Sequence, residues 1–433
     1  MLSRKIKTLA NGLRIVAVEM PHLHGVEIAF YIKAGGRNDP HGKEGISHFV
    51  EHMLFRGTAE HSTTLELEMA FEGIGGSVNA STDEESTCYF TRVHPDHVSQ
   101  GIKLFSSLIL RPTLPGIEIE KRIITEEALE DMNERGKEIN THNLASRLLW
   151  PGHSLGAPTI GFHSTIAGFT DNDLKGYMAE LYRPNNTVAV IAGDIRAETV
   201  FTACEEAFSA WHSAPLPHPV PPSVSQTSPE AIFVDDSDSQ VHLHIAFRGF
   251  ARSDPRLMAI RLIRRALCGS GCSRLNLRLR EQLGIVYSVD ATISAYEETG
   301  TFGIELSTTP ENLPVAVNEV LNAVLRISVE NIHGDELQRI KKGYFFDLEY
   351  SRDSCYEMQV RYGWGELMGL VHDIEDDQAE AEALDSETVR LTAAALFAPH
   401  NLNLVAVGPL KNPLKKAVEK ILAEYEQKWQ VVS

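Results

Sequence analysis

No stretch of the 433-residue chain strings together eighteen apolar side chains, so no membrane-spanning helix and no membrane partner are expected. Cysteine is scarce. The five, at 88, 204, 268, 272 and 355, form an odd set in a large chain and read as buried or incidental thiols of a reducing compartment, not as a disulfide framework. Cys268 and Cys272 share the loop Cys268-Gly269-Ser270-Gly271-Cys272, but no second pair accompanies them to complete a metal or redox motif. Basic charge is also in deficit: 40 Lys and Arg against 59 Asp and Glu leave a net charge of −19, which repels a nucleic-acid backbone and mildly favours cationic ligands such as basic peptides. The basic start Met1-Leu2-Ser3-Arg4-Lys5-Ile6-Lys7 leads to the turn signal Asn11-Gly12, with no apolar stretch or small-residue cleavage site, so a cytoplasmic protein without a secretory signal is expected.

What is present is chemically pointed. In His48-Phe49-Val50-Glu51-His52 two imidazoles stand four residues apart with a carboxylate beside the second. On a helix, residues i and i+4 share a face, so both rings can reach one Zn²⁺ while Glu51 faces a water on it. The order HxxEH is the reverse of HExxH and is the inverzincin pattern. A catalytic zinc keeps three protein ligands and one open position, so a third ligand must come from elsewhere. The acidic segment 118–138 is the place to look: its stretch 120–130 has helical character, and Glu120 and Glu127, seven apart, share a face, offering one carboxylate to the metal and another behind it.

The run His48-Phe49-Val50-Glu51-His52-Met53-Leu54-Phe55-Arg56-Gly57-Thr58, followed by Ile123-Ile124-Thr125-Glu126-Glu127, closely resembles the pitrilysin/insulinase family of zinc peptidases, in particular its short branch of bacterial and mitochondrial-processing-peptidase type. The resemblance implies that His48, His52 and Glu127 are zinc ligands, Glu51 the general base and Glu120 a carboxylate behind the ligands. Glu127 lies 75 residues beyond His52, within the family's usual long gap. Glu126 and Glu130 stay open as ligands, since one sequence does not set the register of that helix. The stretch Gly75-Gly76-Ser77-Val78-Asn79-Ala80-Ser81-Thr82 resembles the family's substrate strand, implying that Ser77, Val78, Asn79 and Ala80 bind an extended peptide through main-chain hydrogen bonds, which are indifferent to side-chain identity. Ser273-Arg274-Leu275 through Arg280-Glu281-Gln282-Leu283-Gly284-Ile285-Val286-Tyr287-Ser288 resembles the arginine/tyrosine segment, implying that Arg280 and Tyr287 stabilise the oxyanion, with Arg278 as the alternative arginine.

The chain is also a faint duplication. Residues 26–40, ending Arg37-Asn38-Asp39-Pro40, align without gaps on 241–255, ending Arg252-Ser253-Asp254-Pro255, at an offset of 215; the same offset pairs Tyr182-Arg183-Pro184-Asn185-Asn186 with Phe397-Ala398-Pro399-His400-Asn401 and Gly193 with Gly408. Between the halves, residues 211–230 carry prolines at 215, 217, 219, 221, 222 and 229, an extended, semi-rigid linker. The expected domains are 1–212, catalytic and zinc-binding, and 231–433, joined by a linker over 213–230. Strands are predicted at 26–34, 187–192 and 241–247 and helices at 65–72, 98–110 and 257–268, without regular βα alternation. The hydrophobic content of 43% suffices for real cores, and the predicted class is α+β: two homologous halves, each a mainly antiparallel sheet packed by helices. At the offset of 215, His48, Glu51, His52 and Glu127 correspond to Ile263, Ala266, Leu267 and Lys342, so the second half keeps the scaffold without the metal kit.

The expected function is a zinc endopeptidase. The alternatives are an inactive partner or structural subunit of a peptidase complex and a metal-binding peptide carrier without turnover. In long members of the family four related domains close a chamber, with zinc in the first and the arginine/tyrosine pair in the fourth. A two-domain chain is therefore expected to work as a homodimer, or as a heterodimer with an inactive homologue.

Overall fold

The structure, a computed structural model, describes residues 3–432; Met1 and Leu2 of the basic start lie outside the described residues. Two sheets organise it. The first contains β1 (Ser3–Thr8), β2 (Arg14–Glu19), β3 (Val26–Ile32), β4 (Asn79–Thr82), β5 (Thr87–Val93) and β6 (Thr187–Gly193), in the order β1-β2-β6-β3-β5-β4. The second contains β7 (Glu230–Asp235), β8 (Val241–Gly249), β9 (Val289–Ala295), β10 (Gly300–Thr308) and β11 (Leu402–Gly408), in the order β7-β11-β8-β10-β9. Each has one parallel pair, β2 with β6 and β7 with β11; all other pairings are antiparallel. The α+β expectation of two homologous halves holds.

The offset of 215 maps β6 onto β11 residue for residue, and the order β2-β6-β3-β5-β4 onto β7-β11-β8-β10-β9. One glycine shows why the repeat is visible in sequence. Gly193 (φ +145°) and Gly408 (φ +148°) end equivalent strands, and a Cβ would lie 2.2 Å from Gly25 O in one case and 2.4 Å from Gln240 O in the other, so both positions exclude a side chain.

On one face of the first sheet lie α1 (Ile46–Leu54), α2 (Thr64–Glu72) and α3 (Val98–Leu110), and the core there includes Phe30 against Phe105 and Phe208, both at 5.1 Å between ring centroids. In the second sheet Phe247 and Phe302 meet Phe397 at 4.9 and 5.3 Å, under helices Leu257–Cys268 and Leu313–Val329. Further on, α4 (Ile117–Leu129) carries the acidic face and α5 (Thr141–Leu149) follows it.

The compact units differ from the expected domains in one respect. The first consists of residues 1–128, 157–220 and 347–373, and the second of 129–156, 221–346 and 374–433, so neither is the continuous stretch that 1–212 and 231–433 describe. In the second unit α5 packs on β8 and β11, where Leu144, Ala145, Leu149 and Trp150 are buried with Ala246, Tyr296, Val405 and Val407. In the first unit the helical run through residues 355–368 packs on β3 and β6 so closely that a Cβ on Gly363 would lie 2.5 Å from Val190 Cγ1 and 2.7 Å from the Tyr31 ring. The physical reason is that the central strands are apolar on both faces. β3 and β6 are buried at every residue, so the face turned away from the main helices needs a cover of its own. These covers are equivalents in the repeat, since 141–149 falls on 356–364 at the offset of 215.

The proline-rich linker has no regular structure but is pinned at each end. Asn185 donates to Ala214 O (2.9 Å) and Arg37 to Val220 O (3.3 Å) in the first unit, and Gln226 donates to Leu402 O (2.9 Å) in the second. All five cysteines are free thiols; Cys88, Cys204 and Cys355 are buried. Among the described residues no helix is long and apolar enough to cross a membrane.

Candidate metal centre

Helix α1 has its apolar residues at Ile46, Phe49, Val50, Met53 and Leu54, the i, i+3, i+4, i+7, i+8 spacing of a stripe, and all five are buried. That stripe leaves His48, Glu51 and His52 on the remaining face. The helix starts after Gly45, at φ +95°, where a Cβ would meet Ile160 O at 2.5 Å. The buried Asp39 carboxylate accepts from the backbone N–H of Gly45 (2.6 Å) and Ser47 (3.1 Å), satisfying donors at the helix start. Burial pushes the Asp39 carboxyl up to about 8, against the opposing pull of those N–H groups.

The α4 face comes to meet α1. Glu127 Oε1 lies 3.6 Å from His48 Nε2, and its Oε2 lies 3.5 Å from His52 Nε2. The donor atoms of His48, His52 and Glu127 all fall within 4.8 Å of one another. Behind them, His52 Nδ1 donates to Glu120 Oε1 at 2.8 Å, which leaves the Nε2 lone pair directed at the cluster. Glu120 is buried, and its other oxygen has Arg56 Nε at 3.5 Å. Glu126 and Glu130 are exposed and take no part in this cluster.

The electrostatics suit a cation. Burial, reinforced by the neighbouring His52, pushes His48 down to about 3, so its imidazole is a neutral donor. Burial also pulls His52 down, but the Glu120 hydrogen bond and the charges of Glu127, Glu51 and Glu120 outweigh it and leave the ring above its ordinary value. Two imidazoles and a carboxylate, one imidazole braced by a second carboxylate, make a donor set that fits Zn²⁺. Glu51 is buried beside the cluster, and burial raises its carboxyl even though Thr82 and His52 pull it down.

Thr82 is a contact that the motif does not reveal. Its hydroxyl donates to Glu51 Oε2 and lies 3.2 Å from Thr87 Oγ1, which donates to Ala34 O at 2.7 Å. Thr82 ends β4, the outermost strand of its sheet, paired with β5 on one side. Asn79 and Ala80 lie on that edge strand; Ser77 and Val78 lead into it, with Val78 buried and Ser77 O accepting from Thr91 Oγ1 at 2.8 Å. Tracing Thr82 from sequence would have required knowing that β4 passes α1.

In the second unit Arg280 and Tyr287 adjoin each other, with the guanidinium 5.8 Å from the ring centroid. Tyr287 is 86% exposed, and Arg280 lies on a π-helical stretch, Asn276–Gln282, with Glu281 at 3.6 Å. Arg278 is engaged elsewhere, donating to both oxygens of Glu319 at 2.8 and 3.0 Å.

Comparison with known proteins bears on this site. The profile described as Insulinase (Peptidase family M16) matches residues 14–161, and that described as Peptidase M16 inactive domain matches residues 168–344. The chain belongs to the pitrilysin/insulinase family. Similar family members include the uncharacterized zinc protease YmxG of Bacillus subtilis, 29% identical with 94% of this chain and 98% of that protein covered. An uncharacterized zinc protease of Streptomyces coelicolor is 25% identical, with 94% and 89% covered. The fold is similar to that of a protease from Helicobacter pylori, with a TM-score of 0.86 at 20% identity, 94% of this chain and 100% of that one being covered.

The family's second domain accounts for the halves' asymmetry. Ile263, Ala266 and Leu267, the counterparts of His48, Glu51 and His52, are sealed in the second core. A helix face that presents His48, Glu51 and His52 in one half is thus ordinary packing in the other.

Proposed function

We propose that this chain is a zinc-dependent endopeptidase of the HxxEH type that cleaves peptides bound in extended form. The observation that carries the proposal is the convergence of His48 Nε2, His52 Nε2 and the Glu127 carboxylate beside the buried Glu51, itself tied through Thr82 to an edge strand. Zinc, when bound, supplies a Lewis acid that polarises a carbonyl and acidifies water. Glu51 accepts the proton of the attacking water and passes it to the departing amine. Glu120 keeps His52 in the tautomer that points Nε2 at the cluster. The outer edge of β4 lends main-chain groups to an extended peptide, a mode tolerant of sequence. Relatives named as zinc proteases support the peptidase reading.

The finer proposal is a dimer. Two copies supply the four domains of the family's chamber, and Arg280 with Tyr287 of one copy would hold the oxyanion at the centre of the other. Digestion of a defined peptide mixture, read by mass spectrometry, tests the function. Internal cuts should disappear on chelation and return with zinc. Zinc-replete protein that cuts no peptide would favour the partner-subunit reading.

A further inference from the structure

We propose a second metal site in the second unit, formed by His142, His244 and Glu305, which takes Zn²⁺ and clips α5 to the sheet beneath it. His142 lies in the first turn of α5, His244 on β8 and Glu305 directly across from it on β10. Their donor atoms lie within 4.8 Å of one another. His244 Nε2 is 3.7 Å from Glu305 Oε1, and the two imidazoles stack at 6.0 Å with 23° between planes. Two imidazoles and a carboxylate are a zinc donor set, and the exposed His142 leaves the cluster an approach from solvent.

Three features separate this cluster from a chance meeting of polar residues. His244 is 3% exposed, and the Thr141 backbone at the start of α5 lies within its hydrogen-bonding reach, so the ring is buried and turned toward α5. His142 and Glu305 approach the ring from α5 and β10, so the neighbours of this buried imidazole are further donor groups. Gly303 makes room for it, since a Cβ there would lie 2.7 Å from His244 Nε2 and 2.6 Å from Thr292 Oγ1.

The duplication provides an internal control. At the offset of 215 the equivalents of His142, His244 and Glu305 are Glu357, Ala29 and Phe90, and at that place in the first unit Phe90 packs on Tyr356 at 6.0 Å. The scaffold is thus built without this triad: the second unit carries His244 and Glu305 where the first has the apolar Ala29 and Phe90, and His142 where the first has Glu357. The segment 129–156 is contributed by the first half of the chain and is held to the second sheet mainly by an apolar cluster and by Arg248 donating to Leu149 O at 2.7 Å. A metal bridging His142 to β8 and β10 would fasten the N-terminus of α5 as well.

Metal analysis after saturation with zinc and gel filtration tests the site. Wild-type protein should carry two zinc ions per chain, and His142→Ala and Glu305→Gln, both at solvent-reached positions, should each carry one. His48→Ala should also retain one, which His48→Ala combined with His142→Ala should lose, together with the zinc-induced rise in melting temperature that His48→Ala still shows. Loss on His48→Ala alone reports on the peptidase centre and loss on His142→Ala on this site, so the two readings fail separately. One ion in wild type that persists in His142→Ala and Glu305→Gln would overturn the second site, as would unchanged melting on adding zinc to His48→Ala.

Discussion

At the scale of single residues, Glu51 and Glu127 make different demands on the same centre. Glu51 faces the cluster without belonging to its donor set, so Glu51→Gln should keep near-stoichiometric zinc while peptide cleavage falls by about 10²–10⁴-fold, the usual contribution of a general base. Cleavage at the wild-type rate would reject the base assignment. Glu127 bridges toward both imidazoles, whereas Glu120 acts through His52 Nδ1 and Glu126 and Glu130 lie outside the cluster. Zinc affinity should therefore drop most for Glu127→Gln, by about 10–100-fold for Glu120→Gln, and little for Glu126→Gln or Glu130→Gln. Competition with a chromogenic chelator gives the ranking, and a severe loss in Glu126→Gln would place the ligand one residue earlier.

At the scale of elements, the repeat makes paired predictions. Gly193 and Gly408 close β6 and β11 at positive φ with a carbonyl where a Cβ would go, so Gly193→Ala and Gly408→Ala should each destabilise by about 2–3 kcal/mol. Gly176, inside helix Asp171–Leu181, has open space around its missing Cβ and no positive φ. Gly176→Ala should stabilise by about 0.5–1 kcal/mol through lower chain entropy and better helix propensity. Denaturant midpoints at constant slope distinguish the two behaviours; equal effects at all three glycines would mean that the close approaches are not what matters.

At the scale of the whole molecule, the exchanged covers have a consequence. A fragment of residues 1–212 lacks 355–368 and would expose the face of β3 and β6 bearing Tyr31, Val188 and Val190, all buried in the intact chain. Expressed alone it should aggregate or bind a hydrophobic dye strongly, and a monodisperse fragment with a cooperative melt would show the cover to be dispensable. The dimer proposal also belongs to this scale. Glu51→Gln and Tyr287→Phe, each weak alone, should recover activity when co-refolded, because one site of a mixed dimer unites intact Glu51 with intact Tyr287. Proven mixed dimers without recovery would assign the site to one chain.

Much of this was legible in the residues themselves because it depends on local periodicity. The apolar stripe of α1 dictates which face His48, Glu51 and His52 occupy, and the strands predicted at 26–34, 187–192 and 241–247 meet the observed β3, β6 and β8 to within two residues. The duplication was readable because equivalent strand ends meet the same steric limits. What the residues did not disclose is partnership over distance. The apolar face of α5 announces that it will be buried, but two related sheets offer it equivalent surfaces, and only the fold selects the second. Thr82 finds Glu51, Arg278 finds Glu319 and leaves Arg280 beside Tyr287, and His142 meets His244 and Glu305 for the same reason. Periodicity determines which face a residue occupies, and long-range packing alone decides what that face meets.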